Sequence, residues 1–238
     1  MFEQRSHEKE LLDSRECDPK IATESYRFME KVNRMFGGIR YVRVFIETEA
    51  REHTGGKPLR ILDIGAGSCD IPIAISKWAR GKNIPLEFTC LEITEPAIQS
   101  AYENIARSAE TAVTVLHEDV FTHEPAEAYD CAVASMCFHH FDDTQIITLL
   151  QRLRAYVKHA ILINDLHRTR VAWLGTSLFT VFSHPGVKHD SRLSIRRGFR
   201  VRELRKLLMQ LDDVLVTVKP AWLFRIRAVV NFKQKGHE

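Results

Sequence analysis

Hydrophobic and polar positions along the chain fall into two regimes. From Ile21 to Phe36, apolar residues recur at Tyr26, Met29, Val32 and Phe36, the spacing of one helical face, and Gly37-Gly38 ends that run. Ile39, Val42, Phe45 and Ile46 then share a second face, with Arg40, Arg43 and Glu47 opposite, until Thr54-Gly55-Gly56-Lys57-Pro58 breaks the pattern. Beyond Pro58, short apolar runs alternate with amphipathic stretches. Strands are predicted at 59–64, 86–91, 113–116, 129–134 and 160–164. Helices are predicted between them over 71–79, from Thr94 as N-cap with Pro96 in the first turn, and from Asp143 or Thr144 to about Tyr156. After the fifth strand, Val171 to Phe182 is apolar nearly all round, the pattern of a buried helix or a cavity wall. A polar loop (His184 to Asp190), a basic stretch, an amphipathic helix over 201–211 and strands over 214–218 and 222–230 follow, the last strand open to antiparallel placement.

Strand–helix alternation of this kind predicts a parallel sheet with right-handed crossovers. The expected fold is α/β: a Rossmann-like, seven-stranded, mostly parallel sheet with helices on both faces over 58–238, with an apolar substrate-side insertion around 168–200. An N-terminal helical segment, 1–57, precedes it and either covers a sheet edge or lids a substrate cavity. Residues 1 to about 20 are dense in charge apart from Leu11-Leu12 and read as a frayed or partly ordered lead-in.

The chemistry concentrates where the first strand, Arg60-Ile61-Leu62-Asp63-Ile64, meets the turn Gly65-Ala66-Gly67-Ser68-Cys69-Asp70. Such a turn lets the main chain approach a ligand beside the free N–H groups of the next helix. A dinucleotide fingerprint needs a third glycine where Asp70 stands, and a carboxylate there opposes a pyrophosphate. An acid before the glycines and no phosphate cradle suit a cationic or zwitterionic cofactor without phosphate, and S-adenosylmethionine has that character. Glu92 ends the second strand twenty-seven positions after Gly65, where an acid accepts from ribose hydroxyls. Asp119, at the end of the third, is placed to accept from an adenine amino group beside Val120 or Phe121, and the fourth ends Ser135-Met136-Cys137-Phe138-His139-His140-Phe141. Four strand ends thus converge on one crevice.

Composition narrows the partner. The 238 residues are 45% hydrophobic and 27% charged with a net charge of +3, enough for one well-cored body and too balanced for long-range attraction to nucleic acid or membrane. Cys17, Cys69, Cys90, Cys131 and Cys137 form no Cys-x-x-Cys pair, so reduced thiols are expected, with no disulfide and no metal. No apolar signal region and no run near the ~20 residues of a bilayer span are present, which points to a soluble, cytoplasmic monomer or homodimer.

Taken together, Asp63-Ile64-Gly65-Ala66-Gly67, Glu92, Glu118-Asp119, Asp130 and Phe138-His139-His140-Phe141 resemble the class I S-adenosylmethionine-dependent methyltransferases. Ser68-Cys69-Asp70-Ile71-Pro72 and Ile163-Asn164-Asp165-Leu166-His167-Arg168 are similar to bacterial small-molecule members, some found alongside type III polyketide synthases and more distantly related to methyltransferases of quinone precursors. The resemblance implies that Asp63, Gly65 and Gly67 surround the methionine moiety, Glu92 holds the ribose and Asp119 with Val120 meets the adenine. Ala66, Asp70, Ile93 and Ser135 complete the expected cofactor-binding set. Cys69 stands where many members have a third glycine, which bears on that turn's backbone angle.

The implied reaction is methyl transfer to an oxygen or carbon of an apolar aromatic, enolic or polyketide-like acceptor. His139 or His140 is the candidate to take the acceptor's proton or to partner its oxyanion. Phe36, Phe138, Phe141, Asp165, His167, Arg168 and Trp173 form the expected substrate pocket. Cys137 follows Met136 rather than proline, which argues against a covalent thiol mechanism. The basic stretch from Arg192 to Lys206 raises an RNA methyltransferase as the alternative, although no aromatic ladder interleaves it and pairing with Asp190, Glu203 or Asp212 accounts for it more simply. A non-catalytic cofactor-binding partner of a biosynthetic complex is the other alternative.

Overall fold

The computed structural model describes residues 2–14, 17–53, 56–222 and 224–233. Thr54-Gly55 of the expected break, Arg15 and Glu16 of the charged lead-in, and Leu223 in the last predicted strand lie outside the described residues. The first strands are nearly continuous apolar runs because both their faces are covered. β1 (Leu59–Ile64), β2 (Leu86–Glu92), β3 (Val113–His117), β4 (Tyr129–Ser135) and β5 (Val157–Leu166) pair in parallel. β6 (Val214–Ala221) and β7 (Arg225–Phe232) complete a sheet of order β3-β2-β1-β4-β5-β7-β6, and β7 runs antiparallel to both its neighbours. The hairpin therefore brings Arg225, first residue of β7, opposite Leu166 at the carboxyl end of β5.

Helices cover both faces. α2 (Gly38–Glu52) and α3 (Asp70–Arg80) share one core with β1 and β2, through Val42, Phe45 and Ile46 on the former and Ile71, Ile73 and Ile75 on the latter. α4 (Glu95–Ser108) closes that side. α5 (Asp143–Leu153) and α8 (Val201–Leu208) pack the other face with Leu149, Leu150, Leu204 and Leu208. α5 starts on a reciprocal cap in which Asp142 accepts from the Gln145 amide and Gln145 returns the bond. α1 (Pro19–Met35) begins on Asp18, whose side chain accepts from the Lys20 amide, and lies over the carboxyl ends of the strands.

Three expectations change. The apolar run after β5 forms α6 (Arg170–Phe179), in which only Ala172 is buried while Val171, Leu174 and Leu178 face solvent and Phe182 just beyond is 99% exposed. It is an outer wall, not a core helix. The predicted polar loop is the first half of α7 (Pro185–Arg197), started by Pro185 and by a His184 ring nitrogen that accepts from the Gly186 amide. Its polar appearance arises because Asp190, Ser194 and Arg197 are buried against other polar groups rather than against oil.

The third change is the lead-in, which is not frayed. Residues 2–14 strap across the strand ends: Arg5 donates to the Arg197 and Phe141 carbonyls, pairs with Asp143 at 2.9 Å and stacks 4.3 Å over the Phe199 ring. A 3-10 turn at Leu11–Asp13 docks by giving the Leu11 and Leu12 amides to the Asp190 carboxylate.

Arg168, expected in the substrate pocket, is instead a buried tie. It pairs with Glu203 at 2.8 Å and donates to the carbonyls of Phe2 and Gly198. Removing one partner of such a pair leaves the rest uncompensated. Arg168→Met is expected to lower stability by roughly 2–3 kcal/mol in urea titration, with m unchanged.

Candidate active site

The turn after β1 has the backbone that its glycines predict, with one refinement. Gly65 and Gly67 hold φ of 64° and 56°, and Cys69, buried, adopts 57°, so the left-handed angle is kept without a third glycine. A side chain at Gly65 would stand 2.6 Å from the Cys137 sulfur, whereas a Cβ on Gly67 would meet nothing within 4 Å. The first glycine permits packing and the second leaves the crevice open. That crevice, about 390 Å³, is lined by Asp63, Gly65, Ala66, Gly67, Asp70, Glu92, Ile93, Asp119, Val120, Ser135, His139, His140 and Phe141. The whole expected cofactor set and both histidines come together.

Its electrostatics are one-sided. Burial, with the neighbouring Asp70 and Glu92 charges, pushes Asp63 well above the carboxylate range. Burial likewise raises Asp70 to about 6, although Asn33 donates to both its oxygens at 3.2 Å. Glu92 accepts from the Gly67 amide at 2.9 Å and, through its other oxygen, from the Ile93 and Thr94 amides and the Thr94 hydroxyl. Among the described residues no lysine or arginine pairs with these three acids. Three carboxyls on one wall without a cation make a site that favours a positively charged ligand. Asn33 has no sequence signature. Gly38 signals it indirectly, because a Cβ there would stand 2.8 Å from the Asn33 Cα.

The histidines divide. His139 is fully buried, with Nδ1 2.7 Å from Asp165 and Nε2 3.5 Å from Glu10 of the strap. Burial opposes its charge, yet the two carboxylates outweigh burial and raise it to about 9, while Asp165 is held down at about 2. His139 is thus an imidazolium at neutral pH. It is a tie between β5, the strap and α7, where the Ser194 hydroxyl donates to Glu10 at 2.7 Å. His140 stacks 4.2 Å from it, is half-buried on the crevice, and turns Nδ1 to Asp13 at 3.0 Å; Arg197 holds Asp13 from the other side at 3.0 Å. Glu10, His139 and His140 also bring three ligand-type atoms within 4.8 Å of one another, a grouping that cysteine spacing did not signal.

The expected substrate residues scatter. Phe141 lines the crevice, and Phe36 lines a small adjoining chamber with Phe28, Phe179 and Phe224. Glu10, Leu12, Met29, Met136 and Ser194 border both spaces. Phe138 is core beneath the site and Asp165 stands behind His139. His167 and Arg168 face a separate surface depression with Phe2 and Glu3, and Trp173 packs between Phe2 and Arg192. None of these last three reaches the crevice. Part of the basic stretch is committed: Arg196 pairs with Glu8, Arg197 with Asp13, Arg192 with the Ser177 hydroxyl, and Arg205 donates to the Val218 carbonyl, while Arg200 and Arg202 border the depression at His167. Arg225 and the strap residues Glu10 and Asp13 are functional candidates that sequence reading missed.

Residues 61–160 match the family model described as a methyltransferase domain. No curated protein matches the chain by sequence. Among solved structures it is similar to the plantazolicin methyltransferase BpumL in complex with a triazolic desmethylPZN analog and SAH, at 17% identity over 90% of each chain with a TM-score of 0.69. It is also similar to the magnesium protoporphyrin IX methyltransferase ChlM from Synechocystis PCC 6803 with bound SAH, at 10% identity over 82% of each chain and a TM-score of 0.59. At these identities the likeness is one of fold. Among the described residues no helix is long and apolar enough to cross a membrane.

The His139 tie predicts a pH dependence. An unfolded histidine titrates near 6.5, so its contribution to stability is complete below that pH and is lost as pH rises through about 9. The urea midpoint of the protein is expected to fall across this window, and that of His139→Gln to change much less; identical slopes would remove the imidazolium from the account.

Proposed function

We propose that this protein is an S-adenosylmethionine-dependent methyltransferase acting on an oxygen or carbon of an apolar small-molecule acceptor. The observation that carries the reading is the uncompensated acidic wall, Asp63, Asp70 and Glu92, placed around a glycine turn whose second glycine opens onto the crevice. When bound, S-adenosylmethionine supplies an electrophilic methyl group on a positively charged sulfur.

The chain's residues then have definable work. Asp63 and Asp70 would hold the methionine end, where an ammonium and a sulfonium complement carboxylates. Glu92, already oriented by main-chain amides, would accept from the ribose hydroxyls, and Asp119 with Val120 would receive the adenine. The Asp63-to-Glu92 wall carries no positive partner that the cofactor would have to displace. The acceptor enters the chamber beyond Met136, whose Phe28, Phe36, Phe179 and Val32 lining favours an apolar body. His140 would take the proton that the acceptor's oxygen or carbon gives up on receiving the methyl group. Asp13 orients its Nδ1 and stabilises the imidazolium formed, as a carboxylate does for any histidine base. His139, already protonated and engaged at both nitrogens, is a positioning residue. Proximity in such a site is worth up to ~7–11 kcal/mol, so alignment by the chamber walls supplies much of the rate.

Plantazolicin and magnesium protoporphyrin IX are the substrates named for two structural neighbours. The apolar acceptor proposed here rests on the lining of the chamber and not on those names. An RNA substrate is disfavoured because Arg192, Arg196 and Arg197 are engaged within the fold.

Calorimetry with S-adenosylmethionine tests the cofactor reading. Binding of a cation favours ionised Asp70, so affinity is expected to be level above about pH 6 and to weaken below it as the free carboxyl protonates. Asp70→Asn is expected to bind on the order of tenfold more weakly with a flatter profile. No binding at any pH by folded protein ends the proposal. For the base, His140→Ala is expected to lower label transfer from the cofactor to extracted metabolites by about 10²-fold or more while SAH affinity holds within about threefold. Full turnover by that variant would return His140 to a structural role.

A further inference from the structure

Arg225 is one of the largest fully buried side chains, 1% exposed, and it lines the apolar chamber beside Phe36, Phe179 and Phe224. A guanidinium in such a place is ordinarily paired with a carboxylate, since an unpaired buried charge is costly. Here its contacts are neutral: the Asn33 carbonyl oxygen at 2.8 Å, the Met136 sulfur at 3.1 Å and the Ser135 hydroxyl at 3.4 Å. Its Nε has no hydrogen-bond partner among the described residues. Asp70 and Asp165 exert a field on it without touching it, because Asp70 is taken by Asn33 and Asp165 by His139 and the Leu166 amide. Burial lowers Arg225 to about 10, which leaves it charged at neutral pH.

The backbone next to it is strained. Phe224 sits at φ 71°, a left-handed angle that a bulky residue holds only under constraint. Its ring packs against Gly175, where a Cβ would come within 2.4 Å of it, and against Phe36 at 6.4 Å between centroids. The arrangement keeps Phe224 and Arg225 at the chamber. The Nε–H left without a partner at the chamber wall is the feature that points to a ligand.

We propose that Arg225 recognises a planar oxyanion, a carboxylate or the enolate of a 1,3-dicarbonyl, carried by the acceptor's buried end. This rests on the methyltransferase reading and specifies its acceptor: an apolar molecule with one acidic group, the fork of the guanidinium matching two oxygens in one plane. The chamber measures about 80 Å³, less than the ~150 Å³ that holds benzene. It accepts the anionic end outright, and a ring follows only as Phe179 and Phe36 give way.

The test titrates three phenyl-bearing probes into the full chain, with and without SAH, at a pH where the dione is ionised: 3-phenylpropionate, 1-phenylbutane-1,3-dione and 3-phenyl-1-propanol. At least one anion is expected to bind tenfold or more tightly than the alcohol, and which one does so distinguishes carboxylate from enolate. Arg225→Met is expected to erase the preference while SAH affinity stays within about threefold, and Arg225→Lys to retain part of it. Equal affinity for all three probes overturns the proposal, as does a preference that survives in Arg225→Met or no saturable binding of any probe at millimolar concentration. If Arg225→Met does not fold, the wild-type comparison and Arg225→Lys decide. Failure of SAH to bind instead removes the cofactor reading, and the anion preference is still read from the titration without it.

Discussion

The site depends on one buried ion triplet, Asp165, His139 and Glu10. Each member comes from a different part of the chain: the end of β5, the turn after β4 and the N-terminal strap. An imidazolium between two carboxylates is stable in the interior only while all three are in place, because the loss of one strands a charge. The contacts around it repeat the pattern. Ser194 on α7 satisfies Glu10, and Arg197 on the same helix donates to the His139 and His140 carbonyls and to Asp13. The strap is therefore held by polar contacts and not by oil, and it supplies the carboxylate that orients His140.

This explains which parts were legible in the sequence. β1 to β5 and their glycine turn were readable because a parallel strand buried on both faces leaves a local signature, and because strand ends in this architecture fall at the ligand by topology. The span of every strand to within a few residues followed from the same signal, whereas the direction of β7 stayed open until its pairing with β5 was seen. The strap and α7 were not readable, because Glu8, Glu10, Asp13, Asp190 and Arg197 look like a solvated charge run until their partners, some 180 residues away, are known. Apolar periodicity detects burial among oil. It is silent on burial among charges.

The same limit misplaced Arg168 and Trp173. Their position after β5 was correct, but β5 continues to Leu166 and turns them to the back, where Arg168 ties Phe2, Gly198 and Glu203 together. Conversely, Arg225 begins an unremarkable alternating strand and reaches the chamber only because the β6–β7 hairpin folds it against the end of β5. Register across an antiparallel pair, not local pattern, decides which residue of β7 meets the site.

Two charged features of opposite sign face the two halves of the cavity, and Asn33 joins them. Its amide nitrogen donates to Asp70 and its oxygen accepts from Arg225. Chemistry fixes that orientation, since a carboxylate only accepts and a guanidinium only donates. A protonated Asp70 is a weaker acceptor, so the amide is held most firmly when Asp70 is ionised. The acidic wall and the chamber thus share one side chain of α1, and Gly38, by lacking a Cβ, gives that side chain its room.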